Sequence, residues 1–441
     1  MAAKVEARLP RLGEVTAEDV ARFSQSMGEP LWLAQLRQAA WETFQELPVP
    51  DRSMETWNRL NLSNLPLLEF PAYMAAEGDG LTAEVEEMLG AEGTSYALVQ
   101  RDGSLIRRRL GAELEEKGVT FTDLHTASVE KETLVKKYLA QIISPREDKF
   151  TALSAALWSG GFFLHVPAGV EVEIPLQALR FRSRRGVSIA RTLVILERDA
   201  QVTFVESQHG AEDPEEGLDV HGVELVVGPG ARLRYVGLQN WDEKTWSFIH
   251  RRSLLMKDAS MIWALGEFGG RVARSSLVSE HRGDGSSSRS YTVFFSSGRQ
   301  HHDIFQVMYH TGNHTDANMD ARGAAAGQSR CVYRGDIEIE RGTRDTSSFE
   351  SMHGLVLDPG ARIDSIPSLY IEDNDVRASH SATTGQVDPE QLFYLMSRGI
   401  SYQEARRLIV EGFFSPILEE IPLESAREAF QKLIARKLGR A

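Results

Sequence analysis

This 441-residue chain has a single cysteine, Cys331. One thiol makes no intramolecular disulfide. Alone it cannot supply the thiolate cage of a stable iron–sulfur or structural zinc centre. Any such centre needs other ligand types or another chain, and Cys331 reads as a buried structural residue. Positive charge is also short: 49 Lys and Arg against 63 Asp and Glu leave a net charge of −14. That argues against non-specific nucleic-acid binding, which needs a basic face. No apolar run approaches bilayer-spanning length, and Met1 to Glu6 has no signal-peptide core, so a cytoplasmic protein is expected. No phosphate-binding Gly-x-x-x-x-Gly-Lys-Ser/Thr loop is present, nor a His-Glu-x-x-His zinc helix or a Gly-x-Ser-x-Gly elbow. Gly283-Asp284-Gly285 has no helix after it, which removes the dinucleotide-binding reading.

What is present falls into three textures. Residues 1–148 read as helix-rich. Thr16 caps a helix with Glu18 and Asp19 in its first turn. Pro30 starts another, with Leu33, Leu36, Ala40 and Phe44 on one face. Glu130 to Ile142 predicts a third helix, through Leu134, Tyr138 and Ile142. Tyr96 to Gln100 predicts a strand.

Over residues 149–385 apolar and polar residues alternate. Five segments repeat a turn pair, a small residue and alternating apolar positions: Pro167-Ala168-Gly169, Arg198-Asp199-Ala200, Pro229-Gly230-Ala231, Lys257-Asp258-Ala259 and Pro359-Gly360-Ala361. The first four recur at about 30 residues, the fixed spacing of a stacked repeat. Sandwich strands recur at about 8–12 residues, so the period favours a β-solenoid.

Residues 386–441 return to helix. Asp388 and Pro389 open one that Gly399 closes. Ser401 and Glu404 predict a capping box for the next, which Gly412 and Pro416 are expected to break. Ala426, Phe430, Leu433 and Leu438 mark a last helix. Helices this short must bury their apolar faces on the solenoid, on one another or on a partner.

Two histidine sets invite a metal. His301, His302, His310 and His314, with Asp303, have suitable ligand types. Strand alternation sends His301 and His302 to opposite faces, however, and a polar ladder in a solenoid explains the set better. His310 and His314 straddle Gly312-Asn313 and are placed on adjacent strands. The other candidate is His380, uncrowded among Ala378, Ser379, Ser381 and Ala382. A neutral imidazole there can hold a metal or move a proton.

Over nearly its whole length the chain resembles the SufB/SufD family, the scaffold subunits of the SUF iron–sulfur cluster assembly system. The resemblance is carried by Glu29-Pro30-Leu31-Trp32-Leu33, Glu46-Leu47-Pro48-Val49-Pro50, Glu55-Thr56-Trp57-Asn58-Arg59 and Val166-Pro167-Ala168-Gly169-Val170. Its strongest stretch is Ser379-His380-Ser381-Ala382-Thr383-Thr384-Gly385 through Gln391-Leu392-Phe393-Tyr394. Ile409-Val410-Glu411-Gly412-Phe413 continues it. SufB-type members carry Glu-His-Glu where this chain has Ser379-His380-Ser381, and a cysteine where it has Met352, so the SufD branch fits better. Many SufD-type chains have Cys-Ser-His, and the cysteine position here is Ala378. His380 is then the one ligand carried over.

The resemblance implies a mainly β protein, with a right-handed parallel β-helix core and α-helical N- and C-terminal regions. It implies pairing with a SufB-like subunit through the β-helix end near His380, a tentative iron or cluster ligand at that interface. It implies docking of the ATPase SufC on the C-terminal helices, onto Leu392, Phe393, Tyr394, Arg398, Leu408, Ile409 and Phe413. No cofactor is expected to bind stably; iron or a cluster shared with the SufB-like subunit is transient. A homodimer of the isolated chain stays open. So do a SufB-type cluster carrier, a β-helix polysaccharide enzyme with converging carboxylates, and a His-rich metal enzyme. Glu372-Asp373-Asn374-Asp375 reads as a solvated turn.

Overall fold

The computed structural model describes residues 10–72, 96–182, 186–210, 215–421 and 423–439. The leader reading on Met1 to Glu6, and Pro422, lie outside these residues. Most of the chain is wound into two parallel sheets that face each other. One has ten strands and ends at Val376–Gln386; the other has nine and ends at Arg362–Ile371. From Phe162–Val166 onward successive strands alternate between the sheets, and each pairs in parallel with the strand two places on; before it, Ala97–Arg101 with Ser104–Arg109 and Thr120–Asp123 with Phe162–Val166 pair antiparallel. This is the parallel β-solenoid expected from the period, with helices at both ends of the chain.

The repeat is a stack of turns. Gly169, Asp199, Gly230 and Asp258 all have positive φ, and so do Gly285, His314 and Asp345 further along. Each turn hangs on the next: Gly169 N–H donates to Arg198 O at 2.8 Å, Asp199 to Pro229 O at 2.9 Å and Gly230 to Lys257 O at 2.9 Å. The stack runs one residue per coil, so turn chemistry sets the period. Pro359-Gly360-Ala361 does not belong to it. That segment joins Thr346–Val356 to Arg362–Ile371 at the opposite corner, above Gly327. Ala200, Ala231 and Ala259 after the turns are fully buried, and the alternating Val202, Phe204, Leu233, Tyr235, Met261 and Trp263 fill the lumen.

Helices cover both outer faces, which explains the strands buried on both sides. The helix Ala17–Ser26 has a full capping box between Thr16 and Asp19. Leu31–Glu46 packs on Lys149–Leu157, which lies against the nine-stranded sheet. There Phe150 and Phe248 stack with ring centroids 3.6 Å apart. Tyr402–Glu419 and Glu424–Leu438 pack on the ten-stranded sheet through Val410, Phe414, Ile417 and Phe430.

Two helix expectations need correcting. Glu130 to Ile142 is not one helix: Leu124–Glu130 and Glu132–Tyr138 are followed by turns, with Ala140 at φ +58°. Gly412 and Pro416 do not break the second C-terminal helix, which runs unbroken over Tyr402–Glu419. Burial of Phe414, Ile417 and Leu418 on the solenoid outweighs the hydrogen bond that Pro416 cannot make.

Candidate functional site

The open end of the solenoid is built from its last strands. Residues 377 and 379–386 on Val376–Gln386 are exposed, and the strand ends its sheet. Asp388 then caps Pro389–Ser397, accepting from Glu390 N–H at 2.9 Å, so the chain leaves the sheet instead of adding another rung.

Register places His380. Its partner on Thr346–Val356 is Glu350, and the column below runs Met319, Ser290, Trp263, Tyr235. Side chains of such a column share a face. Tyr235, Trp263 and Met319 lie in the lumenal core, so His380 is the lumenal residue of the terminal rung. Val376 and Ala378 rest on the same core. Ser379, Ser381 and Thr383 take the outer face, where Thr383 Oγ1 lies 2.8 Å from His353 Nδ1.

Beneath His380 the lumen turns polar. Ser290 Oγ donates to Gln306 Oε1 at 3.1 Å, and Gln306 Nε2 to Thr292 Oγ1 at 2.6 Å. Two layers up, beyond Met319, Glu350 is 3% exposed and neither carboxylate oxygen has a hydrogen-bond partner. Burial, then the charge of Asp336, pushes its carboxyl up to about 8. Ser348 and Ser365 nearby also keep buried hydroxyls without partners. Gly335 makes room: a Cβ there would lie 2.0 Å from Glu350 Oε1. Composition alone gives no sign of Glu350; its signal is its place two residues before Met352, which register turns into a position below His380.

The other histidines do not converge. His302 points into the lumen and His301 outward, as alternation requires; burial pushes them down to about 3 and about 4. His310 stacks on His281 at 4.6 Å between centroids, a ladder contact, and donates or accepts at Thr315 Oγ1 over 2.8 Å. His314 is not on the adjacent strand. It occupies the positive-φ turn position, with its ring 3.0 Å from Asp345 Oδ2. Among the described residues no group of three or more His, Cys, Asp and Glu is placed to hold a metal. Cys331 is fully buried, 3.0 Å from Ser296 Oγ, and burial pushes its thiol up to about 12. Asp373 in the acidic run accepts from the N–H groups of Gly342, Asn374 and Asp375, a solvated turn.

The C-terminal candidates fall into two groups. The helix Pro389–Ser397 buries no residue, and Phe393 and Tyr394 are 73% and 57% exposed. Arg398 lies over the Tyr394 ring at 5.2 Å. Leu392 and Ile409 are half-buried and Leu408 is exposed. Phe413 instead packs edge-on against Phe414, and its carbonyl accepts from Arg322 Nη1 at 2.6 Å. Met396 and Tyr402 extend the exposed patch, and sequence reasoning passed over them.

Wound strands with helical ends, and among the described residues no self-contained metal site, define a β-solenoid protein with an open end. Residues 179–413 match the SufBD core domain of SUF system FeS cluster assembly, and residues 23–178 the SufBD protein N-terminal region. The chain is 32% identical to the iron-sulfur cluster assembly protein SufD of Bacillus subtilis (strain 168), over 96% of this chain and 98% of that one. It is 29% identical to SufB of the same organism, over 94% of this chain and 91% of that one. An iron-sulfur cluster assembly SufBD family protein of Staphylococcus aureus (strain USA300) matches at the same identity and coverage. The chain belongs to the SufB/SufD family of the SUF iron–sulfur cluster assembly system. Among the described residues, no helix is long and apolar enough to cross a membrane.

Proposed function

We propose that this chain is the SufD-type scaffold subunit of a cytoplasmic SUF assembly complex, with no catalytic step of its own. Its open end receives a SufB-like subunit, and its C-terminal helices dock a SufC-like ATPase. The observation that carries this reading is the uncapped terminal rung. Unpaired edge strands of ten and eleven residues, Arg362–Ile371 and Val376–Gln386, are a template for another chain's strands. Elsewhere helices cover the sheets; here small side chains surround His380 on the last strand, with Arg377, Gln386 and Tyr370 exposed around them. Ser379 and Ser381 beside His380, and Met352 in place of a cysteine, favour the SufD over the SufB role. Iron or a nascent cluster is cargo at this interface, met by His380, and is not held stably by this chain alone.

The exposed helix Pro389–Ser397 supports the second contact. A nine-residue helix with no buried side chain gains little from this fold, and its aromatic face fits a partner groove. The test is coexpression with the SufB-like and SufC-like chains of the same organism, followed by affinity capture. Copurification of both partners, lost for SufC on deleting residues 388–422, supports the reading. Capture of neither refutes it.

A further inference from the structure

Most buried carboxylates in this fold are engaged. Glu206 accepts from Tyr235 Oη at 2.7 Å and Thr192 Oγ1 at 2.8 Å. Asp303 takes Arg274 at 3.0 Å and Arg334 at 2.8 Å. Glu350 differs. Among the described residues it is the buried carboxylate with both oxygens unpartnered. Burying a polar group without a partner is costly, so such a position calls for an occupant outside the chain.

The surroundings say where that occupant sits. Glu350 lies on the lumenal face of the penultimate strand of its sheet, and its register partner on the last strand is His380. One interstrand step, about 4.8 Å, separates their backbones. Gly335 leaves the space that the carboxylate fills. Among the described residues no further rung closes the lumen above His380.

We propose that Glu350 and His380 are two donors of one site for a divalent first-row cation, taken here as ferrous iron, at the open mouth of the lumen. A carboxylate oxygen and an imidazole nitrogen suit that class of ion. Two donors leave coordination positions free, and these face the end where the second subunit docks. The site is therefore a half-site: weak in the isolated chain, strong in the complex. It rests on the docking proposed above and adds Glu350, from a strand deeper than the recognisable His380 segment.

The test is an anaerobic titration of Fe²⁺ alone against a chromophoric chelator, on the complex with the SufB-like and SufC-like chains. Glu350→Gln keeps the shape of the side chain and cannot ionise to a carboxylate donor; sizing and thermal melting check that it folds. Glu350→Gln and His380→Ala are each expected to weaken Fe²⁺ binding by about tenfold or more. The double variant should bind at least as weakly as the worse single one, since both donors serve one ion. If His380→Ala weakens binding and Glu350→Gln does not, the Glu350 assignment falls and the docking stands. If neither weakens it, the site falls as a whole. If no complex forms, the docking fails, and the same titration on the isolated chain decides: weaker binding by Glu350→Gln supports the site, and unchanged binding overturns it.

Discussion

Arg191 and Glu224 form an ion pair 2.7 Å long with both side chains fully buried. The same carboxylate accepts the backbone N–H groups of Ala140, Ile142 and Ile143 at 2.9–3.0 Å. It thus anchors the segment after Glu132–Tyr138 onto the solenoid. Glu224→Ala strands a buried guanidinium and three amides, and should cost about 3–5 kcal/mol. Urea unfolding of variant and parent measures it; a loss below about 1 kcal/mol would contradict the anchor.

The exposed C-terminal patch should separate docking from folding. Phe393→Ala and Tyr394→Ala remove side chains that are mostly in solvent, so stability should change by no more than about 0.5 kcal/mol. Capture of the SufC-like subunit should fall sharply. Melting curves and affinity capture on the same preparations check both. A large loss of stability, with capture intact, would place the patch in the fold and not at an interface.

Acid should weaken the solenoid before most carboxylates titrate. Burial pushes His209, His281 and His301 down to about 4, His302 to about 3 and His310 to about 2. The unfolded chain protonates these near pH 6.5, and the folded chain does so only well below that. Stability is therefore full above about pH 6.5 and lost as pH falls toward 4, by about 1.4 kcal/mol per unit for each group. Thermal melting at pH 7.5, 6 and 5 should show a steepening fall; a flat profile would contradict it.

The turn stack has its own test. Gly230 has φ +70°, and a Cβ there would meet Asp199 Oδ1 at 2.1 Å. Gly230→Ala should destabilise by about 1–2 kcal/mol from the backbone alone, more with the contact. Asp199→Gly should recover part of that loss when combined with it. Additive losses in a double-mutant cycle would show that the two turns do not press on each other.

The solenoid was legible because its turns are local: a positive-φ residue and a small residue recur every coil, and both are sequence signals. Pro359-Gly360 misled because the same turn chemistry serves the opposite corner. The segment after Tyr138 was not legible because its conformation is set by Glu224, over eighty residues away in sequence. Pro416 looked like a helix stop, since packing of Phe414 and Ile417 has no local signature. His380 could be found from its uncrowded neighbours and the family pattern. Glu350 could not, because only the register between parallel strands brings it beneath His380.

Hydrogen exchange of residues 376–386, alone and with the SufB-like subunit bound, tests most directly whether the open rung is the docking edge. Strand pairing should slow exchange of alternate amides on Val376–Gln386 by about a hundredfold or more while the lumenal strands stay unchanged. A stable complex that leaves these amides exchanging as in the free chain would contradict the account.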